Sequence, residues 1–189
     1  MNLPNKLTML RILLVPVFMV CASFRWMLAA GIVFAAASFT DFLDGHIARK
    51  YHLVTDFGKF ADPLADKLLT TTAFLYMVVD GVCSPVVVAV ILAREFAVSG
   101  LRMIAAGAPG GKVIAANSWG KAKTVLQMLT IIFYYFGYAA EAALAARPEA
   151  SIFYTQLASY GLCWLVAAVT LVSGVKYLWD NRQFINTAK

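Results

Sequence analysis

Apolar residues gather into six long segments, roughly 12–24, 26–40, 64–79, 85–108, 118–138 and 154–179, with short polar connections between them. Runs of this length read as helices that are buried or cross a membrane. A spanning helix needs about 20 residues. The last three segments meet that length, and the first three meet it only if their helices continue into the polar flanks. The pattern therefore predicts an all-α bundle of six transmembrane helices, some carrying charges at their ends. Residues 1–189 read as a single domain, with no internal repeat and no low-complexity linker. A cleaved leader is the alternative for the N-terminus, with Lys6 and Arg11 as its charged part and "CAS" as the cleavage site. Five further spans follow, and Asn5, Thr8 and Arg11 share one helical stripe, which a discarded leader would not need.

Composition sharpens this picture. The chain is 61% hydrophobic and only 14% charged, against about 25% charged in ordinary soluble domains. An integral membrane protein is expected. Lysine and arginine gather before the first span (Lys6, Arg11), between spans two and three (Arg49, Lys50, Lys59), around the join of spans four and five (Lys112, Lys121, Lys123), and at the end (Lys176, Arg182, Lys189). The other connections hold only Arg25 and Arg147. This asymmetry places both termini and the basic loops in the cytoplasm, in a multi-pass protein of the inner membrane. The net charge of +6 suits contact with anionic lipid headgroups. The basic residues are spread over separate loops, which argues against nucleic acid as a partner. Cys21, Cys83 and Cys163 are isolated and read as small buried hydrophobes rather than zinc ligands or disulfide partners. Trp26, Trp119 and Trp179 near span ends read as interface anchors.

The acidic residues are not spread. Asp41, Asp44, Asp56, Asp62 and Asp66 are half of the ten acids in the chain. Asp41 and Asp44 are three apart, and Asp62 and Asp66 four apart, so each pair shares a helical face. Pro63 suits a first helical turn, which makes Asp62 a candidate N-cap of span three. Solvation or capping accounts for Asp56. It accounts poorly for the other four, because a carboxylate at a helix centre in the membrane costs about 2.5–3.5 kcal/mol and the four would repel one another. Four carboxylates without histidine or cysteine partners suit hard divalent cations such as Mg2+ or Mn2+. Two such ions clamp the attacking and leaving oxygens of a phosphoryl transfer. Gly45, Ala48 and Gly58 leave room for a bulky ligand, and Arg49 offers a planar fork of donors for phosphate.

The full spacing, Asp41-x2-Asp44-Gly45-x2-Ala48-Arg49-x8-Gly58-x3-Asp62-x3-Asp66, resembles the signature of the CDP-alcohol phosphotransferase family without a departure. The resemblance implies a six-helix membrane enzyme, a homodimer, that moves a substituted phosphate from a CDP-linked donor to an alcohol and releases CMP. It implies that Asp41, Asp44, Asp62 and Asp66 hold two metal ions and that Asp66 is the general base. It also implies that Gly45, Ala48, Arg49 and Gly58 surround the CDP group, with Asn5 and Thr8 beside the nucleotide.

The acceptor has to be read elsewhere. "AREFAVSGLR" sets Arg94, Glu95, Ser99 and Arg102 inside an apolar span, with Glu95, Ser99 and Arg102 on one stripe. Charges on one intramembrane face point to a pairing or to a cavity. An Arg94–Glu95 ion pair is the plainer outcome, and a pocket for an anionic substrate the sharper one. Lys121 and Lys123 of "SWGKAKT" add cations at the start of span five. "NLPNKLTMLRILLVPVF", "FADPLADKLL", "AREFAVSGLR" and "GKAKT" are similar to the bacterial branch of the family that uses CDP-diacylglycerol as donor and sn-glycerol 3-phosphate as acceptor. That likeness makes Arg94, Arg102, Lys121 and Lys123 the candidate glycerol 3-phosphate ligands. The rivals are the same chemistry with inositol phosphate, serine or phosphatidylglycerol as acceptor, and a cation transporter that uses the four aspartates as an ion path. "GAPGGKV" fails as a P-loop, being one residue short and lacking the Ser or Thr.

Overall fold

The computed structural model describes the backbone of residues 3–50, 56–107, 114, 118–144 and 148–184, and the side chains of 5–41, 64–65, 67–107, 114, 118–144 and 153–184. Six helices run along the chain: α1 Leu3–Ser23, α2 Met27–Lys50, α3 Asp56–Val79, α4 Pro85–Gly107, α5 Ser118–Leu144 and α6 Pro148–Asp180, followed by a single 3-10 turn at Arg182–Phe184. The described residues contain no strand. α2 and α3 each run 24 residues, about 36 Å at the helical rise. They reach a bilayer's width only because they continue through the motif, as the apolar pattern required. One boundary differs from the sequence reading. α3 begins at Asp56, so Asp62 and Pro63 lie inside the helix rather than at its cap.

Among the described residues, three helical stretches are long and apolar enough to cross a membrane: Asn5–Ser23, Ser118–Leu144 and Phe153–Asp180. The fourth segment had been expected among the long spans and is not one of these. α4 carries Arg94, Glu95 and Arg102 within its length, and those charges cost it the composition of a simple span.

The bundle has an apolar core around Phe18, Phe34, Phe74 and Ile131, a set of buried polar side chains within it, and an apolar exterior. Thr8, Arg11, Lys123, Gln127, Thr170 and Ser173 are buried, whereas Leu13, Val17, Phe39, Leu75, Leu129 and Val175 are exposed. A soluble bundle turns polar residues outward, whereas a lipid-facing one needs an apolar exterior and keeps its polar groups within, since water is absent from its outer face. α1 packs on α2 and α3, α2 on α5, α5 on α6, and α6 on α4. Phe18 sits at the centre, edge-on to Tyr135 at 5.3 Å and to Tyr76 at 6.1 Å.

The α1–α2 and α3–α4 turns lie side by side at one end. Arg25 Nη2 is 3.0 Å from Asp80 Oδ1, and the Tyr134 hydroxyl of α5 donates to Asp80 Oδ2 at 2.7 Å. Gly81 ends α3 with φ +75°, and its amide donates back to the Val78 carbonyl at 3.0 Å. This left-handed close suits glycine. Arg25 adopts φ 58° without that freedom, and its ion pair with Asp80 helps to offset the strain.

Candidate active site

The motif occupies the last turns of α2 and the first turns of α3, around the 51–55 connection. Asp41 and Asp44 lie within helical backbone on α2, and Asp62 and Asp66 within helical backbone on α3, so the 3.6-residue period keeps each pair on one face. The side chains of Asp44, Gly45, Ala48, Arg49, Gly58, Asp62 and Asp66 lie outside the described residues. Asp41 is described. It is 35% exposed, and its Oδ1 lies 2.6 Å from Nη1 of Arg11, which is 1% exposed. Arg11 belongs to the α1 stripe with Asn5 and Thr8, and all three are buried. α1 thus brings its polar face to the end of α2 where the motif begins. Asp41 fits a hard cation in chemistry: it is a carboxylate, partly open, and ion-paired with a guanidinium of a neighbouring helix.

A second polar cluster forms on α3, α4, α5 and α6. Glu95 is its hub and is 16% exposed. Arg94 Nη1 reaches Glu95 Oε1 at 3.0 Å, and Arg94 Nη2 donates to the Ser173 hydroxyl at 3.2 Å. The buried Lys123 ammonium donates to the same Glu95 oxygen. Lys67 Nζ stands 3.8 Å from Glu95 Oε2 and donates to Ser99 Oγ at 2.6 Å. Among the described residues, one carboxylate therefore meets three cations. Gly174 permits the close approach of α6, since a Cβ there would lie 2.8 Å from Arg94 Cγ.

Of the four cations read from sequence as acceptor ligands, Arg94 and Lys123 converge on Glu95. Arg102 is exposed, eight residues further along α4, donating from Nε to the Tyr177 hydroxyl at 3.0 Å. Lys121 is exposed on the first turn of α5. Lys67, Ser173 and Tyr177 had not been singled out. Lys67 follows Asp66 directly, and a lysine there was a usable signal. Thr170, Ser173 and Tyr177 form a buried stripe along α6, visible in sequence as i, i+3, i+7.

A membrane bundle of six helices, with an aspartate motif at the α2–α3 join and a buried charged cluster centred on Glu95, defines a class. The chain belongs to the CDP-alcohol phosphatidyltransferase family, whose sequence profile matches residues 1–172. Among its relatives is the CDP-diacylglycerol–glycerol-3-phosphate 3-phosphatidyltransferase of Bacillus subtilis (strain 168), which is 40% identical over 99% of this chain and 98% of its own length. Proteins of the same name from Rickettsia bellii (strain RML369-C) and Pseudomonas fluorescens are each 37% identical. The first match covers 93% of both chains, and the second 94% of this chain and 89% of the relative.

Proposed function

We propose that this protein transfers the phosphatidyl group of CDP-diacylglycerol to sn-glycerol 3-phosphate, giving phosphatidylglycerophosphate and CMP. The carrying observation is the end-to-end likeness to the Bacillus subtilis relative of that name, 40% identical over 99% of this chain. The unbroken aspartate motif supports the same chemistry.

In this reading Asp66 accepts the proton of the acceptor's hydroxyl. That oxygen forms a bond to the β-phosphorus, and the bond from this phosphorus to the bridging oxygen of the diphosphate breaks. CMP leaves with the electron pair. Asp41, Asp44, Asp62 and Asp66 would hold two divalent cations, Mg2+ or Mn2+, which supply charge stabilisation for the diphosphate and the leaving group. Asn5, Thr8, Gly45, Ala48, Arg49 and Gly58 bind the CDP-diacylglycerol headgroup. Its acyl chains extend sideways between apolar helix faces into the bilayer.

Glycerol 3-phosphate brings a phosphate dianion, and Arg94, Arg102, Lys121 and Lys123 are its ligands. Their environments divide the work. Arg102 and Lys121 are exposed and able to reach solute, whereas Arg94 and Lys123 are paired with Glu95. The lysine and arginine distribution supports an inner-membrane setting with both termini and the active site facing the cytoplasm, and the family resemblance supports a homodimer.

The test is purified protein in detergent with CDP-diacylglycerol and separate acceptors. CMP release should require glycerol 3-phosphate and should not occur with serine, inositol phosphate or phosphatidylglycerol. CMP release with a different acceptor alone would reassign the substrate. Cation flux in vesicles without CMP release would move the protein to the transporter class.

A further inference from the structure

Arg102 is the exposed one of the two proposed acceptor ligands on α4, yet its side chain is tied to another helix. Its Nε donates to the hydroxyl of Tyr177 on α6 at 3.0 Å, and its guanidinium carbon lies 5.5 Å from the centre of that ring. Tyr177 is 2% exposed and packs in a small apolar cluster with Val98 and Leu101 of α4, joined by the partly buried Leu178 and Phe184. The Tyr177 carbonyl accepts from Asn181 Nδ2 at 2.8 Å, which satisfies a carbonyl of the last helical turn. The hydroxyl is therefore an acceptor fixed by packing, on an element that carries none of the residues assigned to the reaction.

A guanidinium carries one N–H on Nε and two on each Nη. Tyr177 takes the Nε donor, and the pair Nη1 and Nη2 is the end of the fork that meets two oxygens of a phosphate. We infer that Tyr177 is a positioning residue for acceptor binding: its hydroxyl holds Arg102 Nε so that Nη1 and Nη2 are presented together to the phosphate of glycerol 3-phosphate. The inference rests on the proposed reading of Arg102 as an acceptor ligand, and it makes α6 part of the site. An untethered arginine samples many rotamers and loses that freedom when it binds. One already held by the protein loses less, which is how preorganisation raises affinity. The effect belongs to binding rather than to the transfer step, so it is read in KM and not in kcat.

The experiment is a double-mutant cycle on detergent-purified protein. CMP release is followed against glycerol 3-phosphate and against CDP-diacylglycerol, and a thermal melt is recorded for every variant. Tyr177→Phe keeps the ring and removes only the hydroxyl. It should raise the KM for glycerol 3-phosphate about 3- to 10-fold, the range for loss of one hydrogen bond, with kcat, the donor's KM and the melt close to wild type. In an Arg102→Ala background the same substitution should change nothing further, because the hydroxyl then has no side chain to hold. An unchanged acceptor KM in Tyr177→Phe overturns the inference. So does an equal effect of that substitution with and without Arg102, or a Phe variant that does not fold, since either gives the hydroxyl a role in packing α6 instead. If Arg102→Ala leaves the acceptor KM at the wild-type value, the reading of Arg102 fails and the inference with it. A raised acceptor KM in Arg102→Ala with none in Tyr177→Phe overturns the inference alone.

Discussion

Asp66 and Arg102 stand for the two halves of the proposed reaction, one for the proton and one for the acceptor's charge. Asp66→Asn keeps the shape of the side chain and loses the proton acceptor and one ligand charge. Turnover should fall by at least about 10²-fold, the lower range for loss of a general base. CDP-diacylglycerol affinity, measured separately by equilibrium binding, should change far less. Arg102→Ala should raise the KM for glycerol 3-phosphate and leave that for CDP-diacylglycerol nearly unchanged. Arg102→Lys should rescue only in part, because a point charge cannot replace a bidentate fork. A matching rise in the donor's KM would instead put Arg102 on the diphosphate. The aspartates were legible in the sequence because their spacing is fixed within one stretch of chain. The cluster around Glu95 was only half legible. The Arg94–Glu95 pairing is written in adjacent letters, but Lys67, Lys123 and Ser173 join it from three other helices, and sequence distance does not report that packing.

Element boundaries were legible where apolar runs ended in turns and less so where they ran into charge. The helices extend through the motif because a span of bilayer width needs the residues, and no glycine or proline signal marks that extension. Pro63 was read as a first-turn residue, yet α3 starts seven residues earlier at Asp56. The connection after Val79 was legible as the gap between two apolar runs, whereas the positive φ of Gly81 within it was not, because a glycine between apolar runs does not reveal its φ. Contact between α4 and α6 gives a test at this scale. Gly174→Ala would press a methyl group to 2.8 Å from Arg94 Cγ, while Glu95 and Ser173 hold the guanidinium end in place. Overpacking of this kind costs about 1–3 kcal/mol, so the thermal midpoint in detergent should fall. Gly161→Ala on the same helix meets nothing within 4 Å. It should be neutral, or stabilising by up to about 1 kcal/mol through helix propensity. Equal behaviour of the two variants would remove Gly174 from the packing argument.

At the scale of the whole molecule, an apolar exterior encloses an apolar core that carries a minority of buried polar and charged side chains. The sequence showed this as a low charged fraction with its acids concentrated in one place. Which interior groups pair with which became visible only once six helices were packed. Activity should vanish in excess chelator and return with Mg2+ or Mn2+, because carboxylate oxygens suit both ions. Full turnover in chelator would remove the two-metal reading. The central claim is a direct transfer in which the acceptor's hydroxyl oxygen becomes bonded to the phosphatidyl phosphorus. The most direct measurement supplies glycerol 3-phosphate carrying oxygen-18 in its primary hydroxyl, together with CDP-diacylglycerol, and weighs both products. The account predicts phosphatidylglycerophosphate that retains the label and CMP that lacks it, in equal amounts. Label lost from the lipid product, or CMP formed without that lipid, would contradict it.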